Sequence, residues 1–335
     1  MSFENHDVER KTLAILKVLG SLQKPAGSRV ICQRLKDHGV DLTERAVRYH
    51  LKLMDERGQT QLVGRQDGRM ITDKGMGEIQ SALVKDKVGF ATSRIELLAF
   101  GTSFDYEHCS GSIPVNISIF HKERFRKALS AMKPAFERGF CVSPLIAVID
   151  SGQRIGDIVV PDGRIGLATV CSVVVNGTLL KAGIPMDSRF GGILEVQDHR
   201  PLRFTEVIHY NGSSLDPSEI FIRAKMTSVG EAASTGSGRI LANFREIPAV
   251  CRSLAESVVD GLKRAGLGGM VVIGNPSETI CETHVGPNKI GIILLGGLNP
   301  VAAAQEAGIQ AENHSMSTTM DYENLVDYRE VLCGS

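Results

Sequence analysis

The 335-residue sequence predicts an α/β (α+β) protein, in which a small winged helix-turn-helix domain precedes a large α/β domain with two pseudo-symmetric halves. Three observations predict this fold. The N-terminal quarter shows three amphipathic helices followed by a strand pair. The remainder alternates helix and strand patterns, and two of its segments resemble each other at an offset of 125 residues. We expect the winged helix over 1–76, a linker helix over 77–90 and the large domain over 91–335.

Charge and cysteine usage restrict the class of protein. The net charge is zero, but residues 10–74 carry 14 Lys and Arg against 7 Asp and Glu, which predicts a basic module on a mildly acidic body. The seven cysteines form no C-x-x-C pair, so we expect neither a disulfide framework nor a metal site. Met1–Arg10 is charged and no apolar run could span a bilayer. We therefore expect a soluble cytoplasmic protein that does not contact a membrane.

The helices of the N-terminal domain follow from periodicity and capping residues. Val8–Leu22 has the 3.6-residue apolar spacing of an amphipathic helix. Ser28 is a suitable N-cap for a second helix over Arg29–His38, and Thr43 is a suitable N-cap for a third. The spacing therefore predicts a helix-turn-helix.

The third helix and the strand pair after it carry the candidate DNA-binding residues. Val47, Leu51 and Met54 share one stripe that is expected to pack, whereas basic and aromatic residues occupy the opposite face. An Asp67-Gly68 turn joins two short strands and forms the wing. A basic face can also be merely solvated, but the joint pattern favours palindromic duplex DNA bound by a pair of chains. The expected interface comprises Thr43, Arg45, Arg48, Tyr49, Lys52, Arg65 and Arg69.

The large domain is expected to begin with two strands, Ile95–Phe100 and Ile113–Phe120. An internal repeat follows. When Val160–Ile184 is aligned with Val285–Ile309, six of 25 positions are identical. Each copy has the order helix, strand, turn, strand, turn, helix, which predicts two pseudo-symmetric halves.

A glycine turn in the second copy is a candidate anion site. The strand Ile290–Leu295 leads into Gly296-Gly297-Leu298-Asn299, with Asn299 as the expected N-cap and Pro300 at the first helical position. Backbone N–H groups at such a helix start can hold a carboxylate or a phosphate, although many such turns bind nothing. Cys171-Ser172 forms the equivalent turn of the first copy.

Enzymatic chemistry has little support in the sequence. Cys171 at a turn could be an activated nucleophile, but no His or Asp spacing selects a partner for it. Neither a G-x-G-x-x-G unit nor a P-loop occurs. We therefore assign no catalytic residue and expect no cofactor.

Two polar tracts, 182–192 and 235–248, place arginines beside hydroxyl groups and glycines. These arginines are Arg189, Arg239 and Arg245. Each could form an ordinary surface ion pair. If they converge, they suit a small dicarboxylate, because guanidinium pairs well with carboxylate.

The chain resembles the NrpR family of nitrogen-regulatory repressors over nearly its whole length. The motifs that carry the resemblance are A-G-I-P-M-D-S-R-F-G-G at 182–192, F-R-E-I-P at 244–248 and G-G-L-N-P-V-A-A-A-Q-E-A-G-I at 296–309. The resemblance implies repression of nitrogen-fixation and ammonium-assimilation genes and a response to 2-oxoglutarate. Some members carry two sensor domains, whereas this chain has room for one. A homodimer is therefore expected, with a second NrpR-type sensor chain as a further partner.

We expect 2-oxoglutarate to bind in the cleft between the two halves. One carboxylate is assigned to one of the three arginines and the other to the backbone N–H groups of the glycine turn. The expected ligand-binding residues are Cys171, Ser172, Ser188, Arg189, Arg239, Arg245, Gly296, Gly297, Leu298 and Asn299. Two other functions remain open. The large domain could be a metabolite-converting enzyme or an assembly module that receives its signal from another protein.

Overall fold

The computed structural model describes residues 3–22, 24–37, 40–64, 67–81, 89–269 and 271–334. The chain separates into two compact units, 1–87 and 88–335. Residues 82–88 of the predicted linker helix lie outside the described residues. The α/β class, the winged helix and the two pseudo-symmetric halves predicted from the sequence are confirmed.

The first unit has three helices, a two-stranded wing and a fourth helix after the wing. Its elements are α1 (Phe3–Leu22), α2 (Ser28–Asp37), α3 (Glu44–Glu56), β1 (Thr60–Gly64), β2 (Gly68–Ile71) and α4 (Asp73–Ser81). Thr43 caps α3 as predicted, because its Oγ1 accepts a hydrogen bond of 3.2 Å from the Ala46 N–H. β1 and β2 pair antiparallel. The core under α3 is formed by Val47, Leu51 and Met54, all fully buried, so the predicted stripe is the packed face.

The second unit opens with a helix where the sequence analysis expected a strand. The segment Ile95–Phe100 belongs to α5 (Phe90–Gly101), so the prediction of a strand there is wrong. The buried residues of α5, Ala91, Ile95 and Ala99, recur at every fourth position, which is helical spacing. Two of them are small alanines, and Phe100 is 80% exposed, so the apolar residues alone did not show the helical period.

The rest of the second unit contains the repeat. The first half comprises β3 (Ser112–His121), α6 (Lys122–Glu137), β4 (Leu145–Ile149), the small hairpin β5 (Arg154–Ile155) and β6 (Ile158–Val159), β7 (Arg164–Val170), α7 (Val173–Lys181) and β8 (Asp187–Gln197). The connecting elements are β9 (Arg200–His209), a 3₁₀ turn (Tyr210–Gly212), α8 (Pro217–Arg223) and α9 (Val229–Thr235). The second half comprises β10 (Gly238–Pro248), a 3₁₀ turn (Ala249–Cys251), α10 (Arg252–Arg264), β11 (Val271–Pro276), β12 (Lys289–Leu295), α11 (Asn299–Glu306) and β13 (Ala311–Asp321). The chain ends with a 3₁₀ turn (Tyr322–Asn324), β14 (Val326–Asp327) and α12 (Tyr328–Gly334).

The two halves exchange their last strands. Two antiparallel five-stranded sheets have the orders β13-β3-β7-β4-β14 and β9-β8-β10-β12-β11. β8 follows the first half along the chain but pairs with β10 of the second, and β13 follows the second half but pairs with β3 of the first. α6 likewise contacts α11, and α10 contacts α7. Each half therefore completes the sheet and the helix layer of the other.

Candidate functional site

The exposed face of α3 is the candidate nucleic-acid interface of the first unit. Thr43, Arg45, Arg48, Tyr49 and Lys52 are all exposed, and Tyr49 is 60% exposed although it is a large aromatic residue. The structure therefore presents these five predicted residues on the surface, opposite the packed stripe. A basic face with an exposed aromatic ring suits contact with phosphates and sugars.

Arg69, one of the two predicted wing arginines, differs from these five residues. Arg69 is partly buried, and its Nε donates to a carboxylate oxygen of Asp55 on α3 at 2.6 Å. Asp55 also accepts a hydrogen bond of 2.6 Å from the Thr60 hydroxyl, so this contact ties both strands of the wing to α3. Arg65 lies outside the described residues. Arg69 thus stabilises the wing through Asp55. Its contact with a phosphate stays a prediction.

A cavity in the second unit lies where the turns of the two halves meet. It is narrow, and it contains about 290 Å³ of unfilled space that is partly open to solvent. The strands β3 and β10, the starts of α7 and α11, and the bulge of β13 all contribute to its wall. The lining residues are Asn116, Cys171, Ser172, Val173, Tyr210, Asp216, Ser218, Asn243, Arg245, Gly297, Leu298, Ser315 and Met316.

Arg245 is the dominant charge of this cavity. Its side chain is 1% exposed, and its Nε and Nη1 atoms have no hydrogen-bond partner. The guanidinium lies over the Tyr210 ring, 4.8 Å from its centroid, which partly offsets the burial of the charge. A buried cation with two unused donors is costly, so its position in a cavity points to an anionic ligand.

A chain of hydrogen bonds beside Arg245 fixes the polar wall. The Tyr210 hydroxyl donates to Asn243 Oδ1, and Asn243 Nδ2 donates to Ser172 Oγ at 3.1 Å. Burial raises the pKa of Tyr210 and raises the pKa of Cys171 to about 12. Cys171 is therefore an un-ionised thiol at neutral pH, which does not suit a nucleophile.

The opposite wall is a bulge in β13. Pairing between β13 and β3 is interrupted between His314 and Thr318. Asn116 Oδ1 accepts from the Met316 N–H at 3.0 Å, and Glu219 accepts from both the N–H and the hydroxyl of Ser315. Arg94 of α5 donates to the carbonyl oxygens of Met316 and Ser317. These contacts hold the bulge against the cavity.

Asp216 adds a titratable group to the rim. Its carboxylate caps α8 by accepting from the Ser218 N–H at 2.8 Å. Burial, with a smaller contribution from nearby Glu219, raises the pKa of Asp216 to about 6. The cavity therefore carries more negative charge at pH 7.5 than at pH 5.5.

Half of the ligand residues predicted from the sequence lie together in this cavity. These are Cys171, Ser172, Arg245, Gly297 and Leu298. Gly296 lies next to them and donates its N–H to the Leu241 carbonyl at 2.8 Å.

The predicted capping role of Asn299 is wrong. The N-cap of α11 is Leu298, and Asn299 is the first helical residue. Its fully buried side chain accepts from the Leu241 N–H at 2.8 Å and donates to the Leu241 carbonyl at 3.0 Å. Asn299 therefore joins its turn to β10, because a buried amide is best satisfied by both backbone groups of one residue.

The remaining predicted ligand residues lie elsewhere. Arg189 forms ion pairs with Asp187 at 3.3 Å and Glu246 at 3.6 Å. Arg239 is exposed, and Ser188 accepts a hydrogen bond from Asn176 in a different cavity. The structure thus separates Arg245 from the other two arginines.

Several lining residues were not found from the sequence, notably Asn116, Tyr210, Asn243 and Asp216. The two asparagines had a usable signal, because each interrupts an apolar strand that is otherwise suited to a core. They are also equivalent in the repeat: Asn116 pairs with Thr169, Asn243 pairs with Leu294, and these partners lie 125 residues apart. Tyr210 and Asp216 lie in a connection that shows no such pattern.

The described part of the chain shows neither a metal cluster nor a membrane-spanning helix. No group of three or more His, Cys, Asp or Glu side chains there could hold a metal ion. No helix among those residues is long and apolar enough to span a bilayer.

Comparison with known proteins gave consistent matches to both units. The family model of NrpR regulatory domains NRD1 and 2 matches residues 88–327, and the model of the ribonuclease R winged-helix domain matches residues 13–79. The Global nitrogen regulator NrpRI of Methanosarcina mazei is 38% identical over 318 residues, which cover 95% of this chain and 98% of that protein.

Two further matches extend this result. The Global nitrogen regulator NrpR of Methanococcus maripaludis is 30% identical over 96% of this chain, which spans only 55% of that longer protein. The crystal structure of a nitrogen repressor-like protein from Methanococcus jannaschii matches with a TM-score of 0.60 and 26% identity. The match covers 71% of this chain and 98% of that one.

The raised pKa of Asp216 predicts the pH dependence of anion binding. Because this pKa lies above the usual value of about 3.9, Asp216 loses its charge as the pH falls through about 6. Sulfate should therefore bind several-fold more tightly at pH 5.5 than at pH 7.5 when measured by calorimetry. Asp216→Asn should bind equally at both values. An unchanged pH slope in this variant would refute the assignment.

Proposed function

The chain belongs to the NrpR family of nitrogen regulators, and from this premise we propose that it represses nitrogen-assimilation and nitrogen-fixation genes. In this proposal the winged helix binds a palindromic operator. The second unit binds 2-oxoglutarate, and that binding causes release of the DNA. Since 2-oxoglutarate accumulates when nitrogen is scarce, release at that time would switch the genes on.

The buried guanidinium of Arg245 is the observation that carries the effector proposal. 2-Oxoglutarate is a dianion, and each of its carboxylates needs compensation when it leaves water. Nε and Nη1 of Arg245 have no partner within the protein and would donate to one carboxylate. The backbone N–H groups of Gly297 and Leu298, at the start of α11, would donate hydrogen bonds to the other carboxylate.

The contact between the two halves could link ligand binding to a conformational change. Gly297 approaches the first half so closely that a Cβ atom there would collide with the Val170 carbonyl oxygen and the Asn116 amide. The cavity beside this contact is narrow. Entry of a dicarboxylate would therefore separate the two turns, and the ligand would favour the separated arrangement.

The competing enzyme function is not favoured. The relatives are regulators, and the family model describes regulatory domains. The third alternative, an assembly module without its own effector, would be favoured if the pure chain bound no 2-oxoglutarate. By the family resemblance, we also propose a second NrpR-type chain as a partner.

We further propose that the chain forms a homodimer through β9. This ten-residue strand ends its sheet, and most of its side chains are exposed. In antiparallel pairing of two copies about the Phe204–Thr205 bond, Arg203 faces Glu206 of the partner subunit. The same register places Leu202 opposite Val207 of the partner subunit, so charge and apolar surface both match.

Two classes of DNA contact are predicted for the winged helix. Arg48→Ala should lose about 1–3 kcal/mol of preference for a palindromic operator over a scrambled duplex. Arg65→Ala, a prediction from the sequence alone, should weaken both duplexes alike and flatten the salt dependence. Fluorescence anisotropy over a range of salt concentrations measures both effects. If both variants bind as the unmodified chain does, the interface is assigned wrongly.

Removal of the cavity cation should abolish induction without loss of repression. Hydrogen bonds to charged groups contribute about 1.5–3 kcal/mol, so Arg245→Gln should require roughly 10–100-fold more 2-oxoglutarate for DNA release. Operator affinity should remain near that of the unmodified chain, and the melting temperature should stay equal or rise, because the variant removes a buried charge. Arg239→Gln, which changes an exposed arginine of the same strand, is the matched control and should respond normally. Normal induction of Arg245→Gln would overturn the site.

Sedimentation tests the dimer surface. Arg203→Glu should give monomers at micromolar concentration, because like charges would face each other across β9. Combining Arg203→Glu with Glu206→Arg should restore the dimer. Since Arg203 also bonds Glu195 at 2.8 Å, Glu195→Gln serves as the control and should remain dimeric. A dimer that persists in Arg203→Glu would place the interface elsewhere.

A further inference from the structure

A second cavity in the large unit is lined by part of the polar tract 182–192, which does not line the proposed effector site. It contains about 1090 Å³ of unfilled space, part of it open to solvent. The loop before β8 contributes Pro185, Met186 and Ser188, and β10 contributes Ile247. Seven of the fourteen lining residues are apolar and seven are polar or charged, a combination that suits a small organic molecule with one polar end.

Two side-chain oxygen atoms of this cavity are buried without a hydrogen-bond partner. Asn176, in the middle of α7, is 4% exposed. Its Nδ2 donates to Ser188 Oγ at 3.1 Å, but its Oδ1 has no hydrogen-bond partner. Thr92 Oγ1, on α5, is likewise buried and unbonded. Both oxygens can accept a hydrogen bond from a ligand.

The charges of the wall favour a cation. Lys289 donates to Asp187 at 3.1 Å and to Glu246 at 2.9 Å, so its charge is compensated. Arg189 is compensated by the same two carboxylates. Glu96 adds a further negative charge to the lining.

We propose that this cavity binds a small primary ammonium compound with an apolar body. The ammonium group, with three donors, would bond Asn176 Oδ1, Thr92 Oγ1 and the Glu96 carboxylate. Its body would pack against Ile95 and Leu180. This site is separate from the proposed anion effector, and it has no equivalent in the second half, where α11 has Val301 at the position 125 residues after Asn176.

The two cavities nevertheless share elements. Ser172 of the first cavity is the N-cap of α7, and Asn176 of the second cavity lies about one turn further along the same helix. Arg245 and Glu246, consecutive in β10, line the first and the second cavity respectively. An occupant of the second cavity would thus contact the same helix and strand that hold the anion site.

Calorimetry with the full chain tests this proposal, with benzylammonium as the probe and benzyl alcohol as the neutral match. The unmodified chain should bind benzylammonium at least about 10-fold more tightly, a difference of about 1.4 kcal/mol. Asn176→Val, which copies the residue of the equivalent helix, should lose this preference while its melting temperature stays equal or rises. Asn176→Asp should strengthen the preference.

Other variants separate this site from the proposed effector site. Arg245→Gln should bind benzylammonium normally, so failure of the anion site would leave this result unchanged. Glu96→Gln should weaken benzylammonium but not benzyl alcohol. No binding of benzylammonium to the unmodified chain, equal binding of the two probes, or unchanged binding to Asn176→Val would each overturn the proposal.

Discussion

A positive charge buried in the contact between two interlocked halves is the constraint on which this molecule depends. The guanidinium of Arg245 is 1% exposed, and the groups around it that replace water are the Tyr210 ring, the polar side chains of the cavity and the Asp216 carboxylate. Each unmet buried polar group costs about 1–3 kcal/mol, and charged groups cost more. The fold must therefore be stable enough to tolerate this cost in the absence of an anion. An anion that bonds Nε and Nη1 would remove the cost, which links affinity for the ligand to stability.

The exchange of strands explains why such a site can be rigid and yet able to respond. β8 and β13 each complete the sheet of the opposite half, so each sheet contains a strand from both halves. The site itself breaks the symmetry. In the pairing register that makes Asn116 and Asn243 equivalent, the position of Arg245 corresponds to Ser118, which is buried and bonded to Asn313. A nearly symmetric frame thus holds a single cation on one side, and a ligand can be bound in one orientation.

Local sequence patterns predicted the winged helix, because capping and periodicity act over a few residues, and the offset between two similar segments predicted the repeat. Thr43 and the stripe of α3 were predicted in this way, as was the 125-residue offset that β7 and β12 follow. The helix at Ile95 was missed because two of its three buried residues are alanines. Which of the candidate ligand residues would meet in one cavity was harder to predict. Arg189, Arg239 and Arg245 look alike in sequence, and only the pairing of β10 with both β8 and β12 separates the buried arginine from the two exposed ones.

If the Arg245 cavity couples an anion to DNA binding, that coupling is reciprocal. Calorimetric titration of 2-oxoglutarate into the free chain and into the chain saturated with operator duplex measures this coupling directly. We expect the operator complex to bind 2-oxoglutarate more weakly by about 5–150-fold. The same factor should describe how saturating 2-oxoglutarate weakens binding of the operator. Equal affinity of the free chain and the operator complex for 2-oxoglutarate would show that the cavity and the winged helix are not coupled.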